Sequence, residues 1–166
     1  KKEMFKTSGG LYIAPQQLEN KLKESPLIDQ AMVVGDGKKF PAALIVPNYE
    51  ELVEEAGKKF IMAADLSEMA KDDTILALFE KELERVNKDL GQWEKIKDFR
   101  LITNSWTLEG GELTPTMKLK RRVIKEKYEA FIVDIYQKDG ANLFDNLEEV
   151  NMDEVEKQVA AELEND

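Results

Sequence analysis

Residues 28–48 read IDQAMVVGDGKKFPAALIVPN, and this stretch decides the architecture. Residues 31–34 and 42–46 are near-continuous apolar runs on either side of a Gly35, Asp36, Gly37 turn. Short apolar runs around a glycine-rich turn predict a β-hairpin, and the lack of polar alternation predicts a substantially buried core strand within it.

Upstream, residues 1–15 (KKEMFKTSGGLYIAP) read as two short extended pieces around Ser8, Gly9 and Gly10, because glycine accepts the backbone angles of a tight turn. Pro15 is placed to open a helix, which Leu18 and Leu22 continue at a spacing of four towards an end near Ser25. Downstream, helical patterns occupy residues 49–56, 66–70 and 74–90. In the last of these Ile75, Leu78, Phe79, Leu83, Val86 and Leu90 keep a helical period, and Gly91 is the expected stop. DFRLIT, residues 98–103, alternates like a strand. Residues 105–116 form a loop by their glycines, threonines and proline, and a helix is expected over 119–137. From Asp139 onward the chain turns acidic, with Val155, Val159 and Leu163 at helical spacing. That predicts an amphipathic or frayed terminal helix, against the plainer reading of a solvated acidic tail. There is no internal repeat. This order of elements predicts a small α+β domain.

With 166 residues the chain suits one compact domain, or one domain with an appendage. It contains no cysteine and no histidine. Ser/His/Asp and Cys/His triads are therefore excluded, as are thiolate and imidazole metal sites. Chemistry here must use lysine, arginine, carboxylates, hydroxyls or backbone amides. No apolar signal segment or membrane-length run is present, so cytosol is the default expectation. A formal net charge of -10 argues against general nucleic-acid binding, which needs a broad positive field.

Against that acidic background, residues 111–122 (GELTPTMKLKRR) gather positive charge. Lys118 stands in a loop bounded by Thr, Pro and Gly, where an ammonium can reach outward to carboxylate or phosphate oxygens. Lys118, Lys120, Arg121, Arg122, Lys125 and Lys127 also fit a solvated helix face whose stems cover Val123 and Ile124, which composition alone favours. A nucleic-acid stripe fits less well, since no aromatic platform is interleaved before Tyr128. The glycine pair at 9–10 reads locally as a plain turn, and neither GxGxxG nor GxxxxGKS/T occurs. Trp93 and Phe99 read as core anchors.

Taken together, FKTSGGLYIAPQ (5–16), the hairpin at 30–48, QWEKIKDFRLIT (92–103) and GELTPTMKLKR (111–121) resemble the C-terminal domain of the AMP-forming acyl-CoA synthetases. Within that adenylate-forming superfamily, the likeness is to long-chain fatty acid CoA ligases. It covers residues 1–137, with 138–166 as an acidic C-terminal extension.

The resemblance implies a small mixed sheet with β-hairpins flanked by helices. It also implies a two-step reaction in which ATP and a fatty acid give acyl-adenylate and pyrophosphate, and coenzyme A then displaces AMP. The implied partner is a large N-terminal nucleotide- and acyl-binding domain of the same polypeptide, against which the small domain swings between two orientations. Magnesium would accompany ATP in the full enzyme, with no metal bound by this domain and no nucleic acid involved. Location would be cytoplasmic, with peripheral membrane contact left open.

Residue by residue, the family's adenylation lysine falls on Lys118, preceded by Met117 where many relatives have glycine. The hinge falls on Lys2. Gly9 matches the glycine that lines the pantetheine channel in the thioester-forming orientation, with Ser8 and Gly10 beside it as coenzyme A neighbours and Lys6 as a nucleotide phosphate contact. Leu11 replaces an arginine that some short-chain relatives use near the phosphate, so that contact is not carried over. Lys118 is expected to be mobile without its partner domain. The competing class is a freestanding acidic protein-interaction module that keeps the fold.

Overall fold

A computed structural model describes residues 3–58, 65–143 and 161, and the chain divides into two compact units, Lys1–Ser105 and Trp106–Asp166. In the first unit, β1 (Phe5–Lys6) and β2 (Tyr12–Ile13) pair antiparallel, with Phe5 opposite Ile13 and Lys6 opposite Tyr12. Helix α1 (Pro15–Leu22) follows, with Pro15 in its first turn, where its missing N–H costs nothing. Strands β3 (Ile28–Val34) and β4 (Ala42–Pro47) form the expected hairpin. After α2 (Tyr49–Lys58), α3 (Leu66–Met69) and α4 (Asp73–Asn87), strand β5 (Asp98–Leu101) joins β4 in parallel. The sheet order β3-β4-β5 is thus mixed, in a small α+β fold.

The central position of β4 explains its sequence. Every residue from Ala42 to Pro47 is buried, as a strand covered on both faces requires. Strand β3 lies at the sheet edge, where an N–H turned away from β4 would lack a partner. The buried Glu19 carboxylate of α1 supplies one, accepting the Val33 N–H at 2.8 Å. Leu18 and Leu22 of α1, Val33 and Ile45 of the sheet, and Ile75, Phe79, Leu83 and Val86 of α4 share one apolar core. Asp72 caps α4 by accepting the Thr74 and Ile75 N–H groups, a contribution of about 1 kcal/mol.

The second unit holds the loop that carries Lys118, followed by α5 (Arg121–Lys127) and α6 (Glu129–Leu143). Trp106, Tyr128 and Phe131 form an aromatic row, with ring centroids 6.4 Å and 5.9 Å apart.

Three expectations change. The helix expected over 119–137 is two helices, broken at Tyr128, whose φ of -110° and ψ of 26° leave the helical region. Its ring lies between those of Trp106 and Phe131. Helix α4 stops at Asn87 and does not reach Leu90 or need Gly91. The Asn87 amide instead both donates to the Ile96 carbonyl and accepts the Ile96 N–H, each at 2.8 Å, and latches the chain ahead of β5. Phe99 is a core residue, 6.3 Å from the Phe79 ring, but Trp93 is 47% exposed and anchors no core. The C-terminal extension after Leu143 lies outside the described residues, Ala161 excepted, as does Lys2.

Candidate functional site

In the first unit Lys6 ends β1, and Ser8, Gly9 and Gly10 lie on the loop between β1 and β2. The Gly10 N–H donates to the Thr7 carbonyl at 3.0 Å, and Thr7 N–H donates to the Leu11 carbonyl at 2.9 Å. Gly10 has φ of 84°, a conformation that places Leu11 back opposite Thr7 and that a side chain would strain. The loop is latched to the β3–β4 turn by Ser8 N–H donating to the Lys38 carbonyl at 2.9 Å and Gly37 N–H to the Lys6 carbonyl at 2.8 Å. The alternation of β1 and β2 turns Ile13 inward and leaves Lys6 and Tyr12 exposed, with the Lys6 ammonium 5.8 Å from the Tyr12 ring centroid.

Gly9 differs from Gly10 in a way that bears on function. Its φ lies outside the left-handed region, and a Cβ built there meets nothing closer than the Thr7 hydroxyl at 3.9 Å. Neither backbone nor packing in this unit requires glycine at position 9.

In the second unit Lys118 sits at the end of a tight hairpin. Leu113 and Leu119 bridge antiparallel across its base. Inside that bridge Thr114 N–H donates to the Lys118 carbonyl at 2.8 Å, Lys118 N–H to the Thr114 hydroxyl at 3.0 Å, and Met117 N–H to the Thr114 carbonyl at 2.8 Å. Met117 has φ of 64°, a left-handed conformation that glycine adopts freely and an unbranched side chain holds at a cost of about 1 kcal/mol or more. The backbone at Lys118 is therefore tied down, and its side chain is exposed.

Beneath this tip lies a residue that the sequence reading passed over. Glu112 is 2% exposed, accepts the Thr107 N–H at 2.9 Å and stands 3.3 Å from the Lys127 ammonium. Its backbone carbonyl accepts the Lys120 N–H at 2.7 Å. Its place as the one acid of the basic stretch 111–122 was the available signal. Along α5, Ile124 is buried while Val123 is exposed, and Arg122 pairs with Glu126 at 3.3 Å on the solvent side. Within the basic run Arg122 and Lys125 thus form a solvated face of α5, with Ile124 alone of the two apolar residues covered.

Among the described residues no group of three or more His, Cys, Asp or Glu side chains could hold a metal ion. No described helix is long and apolar enough to cross a membrane.

A family model described as "AMP-binding enzyme C-terminal domain" matches residues 3–140. Long-chain-fatty-acid–CoA ligase FadD15 of Mycobacterium tuberculosis is 39% identical over 141 residues, covering 84% of this chain and 23% of the relative. Long-chain-fatty-acid–CoA ligase ACSBG2 of Gallus gallus is 34% identical over 153 residues, covering 81% and 20%. The chain thus spans between a fifth and a quarter of the length of these curated relatives. Among solved structures, the adenylation domain of the carboxylate reductase from Mycobacterium chelonae superposes with a TM-score of 0.67 at 27% identity, covering 81% of this chain and 19% of that one.

Proposed function

The chain belongs to the AMP-binding enzyme C-terminal domain family, and from that premise we propose that it is the mobile C-terminal domain of an AMP-forming long-chain fatty acid CoA ligase. The names of the relatives that it matches support the acyl class. The observation that carries the residue assignment is the exposed Lys118 side chain on a backbone-pinned hairpin.

In the first half-reaction a fatty acid carboxylate oxygen attacks the α-phosphorus of ATP, and pyrophosphate leaves. Negative charge builds between the two anionic groups. The Lys118 ammonium bridges them, a preorganised donor where charge develops. In the second half-reaction the coenzyme A thiol attacks the acyl carbon and AMP leaves with the bonding pair. Gly9 then lines the pantetheine channel, flanked by Ser8 and Gly10, with Lys6 close to nucleotide phosphate. That Gly9 has no internal need to be glycine supports this role, since the requirement would come from a group outside the unit.

On this reading the nucleotide and acyl pockets belong to a large N-terminal domain of the same polypeptide, and Lys2 is the hinge about which the small domain turns. Residues 1–137 form the swinging body and 138–166 an acidic extension. The enzyme works in the cytoplasm, with peripheral contact at membranes where its acyl substrates partition.

An antibody against this chain, used on a lysate of the source cells, tests the reading at its base. A band several times 19.0 kDa, together with fatty-acid-dependent AMP release by the purified polypeptide, is expected. A native protein of 19.0 kDa that lacks this activity would instead make the chain a freestanding interaction module.

A further inference from the structure

We propose that Glu112 is the positioning residue for Lys118, an inference that rests on Lys118 being the adenylation lysine. Glu112 ties together the points from which the Lys118 tip hangs. One carboxylate oxygen accepts the Thr107 N–H at the loop's entry. The other reaches the ammonium of Lys127, in the last turn of α5. The backbone carbonyl accepts the Lys120 N–H at the loop's exit. Between Glu112 and Lys120 the chain runs through the Leu113–Leu119 bridge and the Thr114–Lys118 hydrogen bonds, and the Leu113 N–H donates to the Thr107 carbonyl at 3.3 Å, so that Thr107 is held at two points.

The carboxylate also dictates its neighbours. A Cβ at Gly110 would lie 2.5 Å and 2.7 Å from the two carboxylate oxygens and 2.9 Å from the Thr107 hydroxyl, which itself accepts the Gly110 N–H at 2.8 Å. Any side chain at 110 must push the Glu112 carboxylate from its seat. Burying a paired charge adds little net stability compared with an apolar residue of similar volume. What such a charge supplies here is fixed geometry, with donors converging from the loop's start and from α5.

Positioning matters because misplacing a reacting group by about 1 Å can cost about 100-fold in rate. Glu112→Gln keeps an oxygen for the Thr107 N–H and removes the charge facing Lys127. Gly110→Ala displaces the carboxylate and leaves it intact. In the complete ligase, each variant should lower kcat for acyl-adenylate formation by about 10- to 100-fold. KM for ATP should change less than about threefold, because binding is left alone. Thioester formation from supplied acyl-adenylate should stay within about twofold, since it does not use Lys118 on this reading.

On a Lys118→Ala background neither substitution should lower adenylation further, the non-additivity expected of residues that act as a unit. Equal losses in both half-reactions, unchanged adenylation in both variants, or a full further loss on the Lys118→Ala background would overturn the proposal. If Lys118→Ala itself leaves adenylation intact, the Lys118 reading fails, and the positioning role falls with it. Should Glu112→Gln fail to fold, Gly110→Ala alone decides between these outcomes.

Discussion

Adjacent glycines at 9 and 10 give a pair of substitutions with opposite expected effects. Gly10 has φ of 84°, so Gly10→Ala forces a side chain into the left-handed region, at about 1–2 kcal/mol. Gly9 has an ordinary φ and 3.9 Å of clearance to the nearest atom. Gly9→Ala is then stabilising by about 0.4–1 kcal/mol, because alanine restricts the unfolded chain more than glycine does. In a chain of this size 1 kcal/mol moves Tm by about 2–4 °C. Differential scanning calorimetry should therefore show Gly9→Ala unchanged or up to about 4 °C higher, and Gly10→Ala about 2–8 °C lower. In the complete ligase, Gly9→Ala should slow thioester formation by about tenfold or more while adenylate formation stays within about twofold, as narrowing one channel affects one half-reaction. A Gly9→Ala protein destabilised as much as Gly10→Ala would refute the geometric argument. A stable Gly9→Ala enzyme with unimpaired thioester formation would refute the channel assignment.

The strained residue beside Lys118 gives a second prediction. Met117→Gly relieves about 1 kcal/mol of left-handed strain against a glycine entropy cost of about 0.5–1 kcal/mol, so Tm should hold or rise slightly; Met117→Val, β-branched at φ of 64°, should lower it. The two aromatic residues read from sequence as alike in kind should part company in urea denaturation. Phe99→Ala, truncating a buried ring tilted against that of Phe79 at 6.3 Å, should cost about 3–5 kcal/mol, whereas Trp93→Ala, 47% exposed, should cost less than about 1 kcal/mol.

The parts of the fold legible in the sequence are those encoded by neighbours along the chain. Strand β4 is apolar throughout because it is central, and its hairpin with β3 follows from the Gly35–Asp36–Gly37 turn; Pro15 and the four-residue spacing of Leu18 and Leu22 mark α1 in the same local way. What escaped the reading depends on contacts distant in sequence. The end of α4 is set by an Asn87 side chain meeting Ile96, which no helical period records. The break at Tyr128 carries neither glycine nor proline, since an aromatic partner at Trp106 accompanies it rather than a local breaker. Trp93 was read as buried from its type alone, yet exposure is decided by what folds over a residue. The exposed position of Lys118 was legible in its loop sequence. Glu112 was not, because its partner Lys127 stands fifteen residues away, and because a buried acid looks in sequence like any surface acid.

The central claim is that Lys118 serves one half-reaction and not the other. Its most direct test is Lys118→Ala in the complete ligase, with acyl-adenylate formation and thioester formation from supplied acyl-adenylate measured separately. Loss of a bridging ammonium at the developing charge is expected to slow adenylation by about 100-fold or more and leave thioester formation within about twofold. Equal losses in the two half-reactions, or full adenylation without the lysine, would contradict the account.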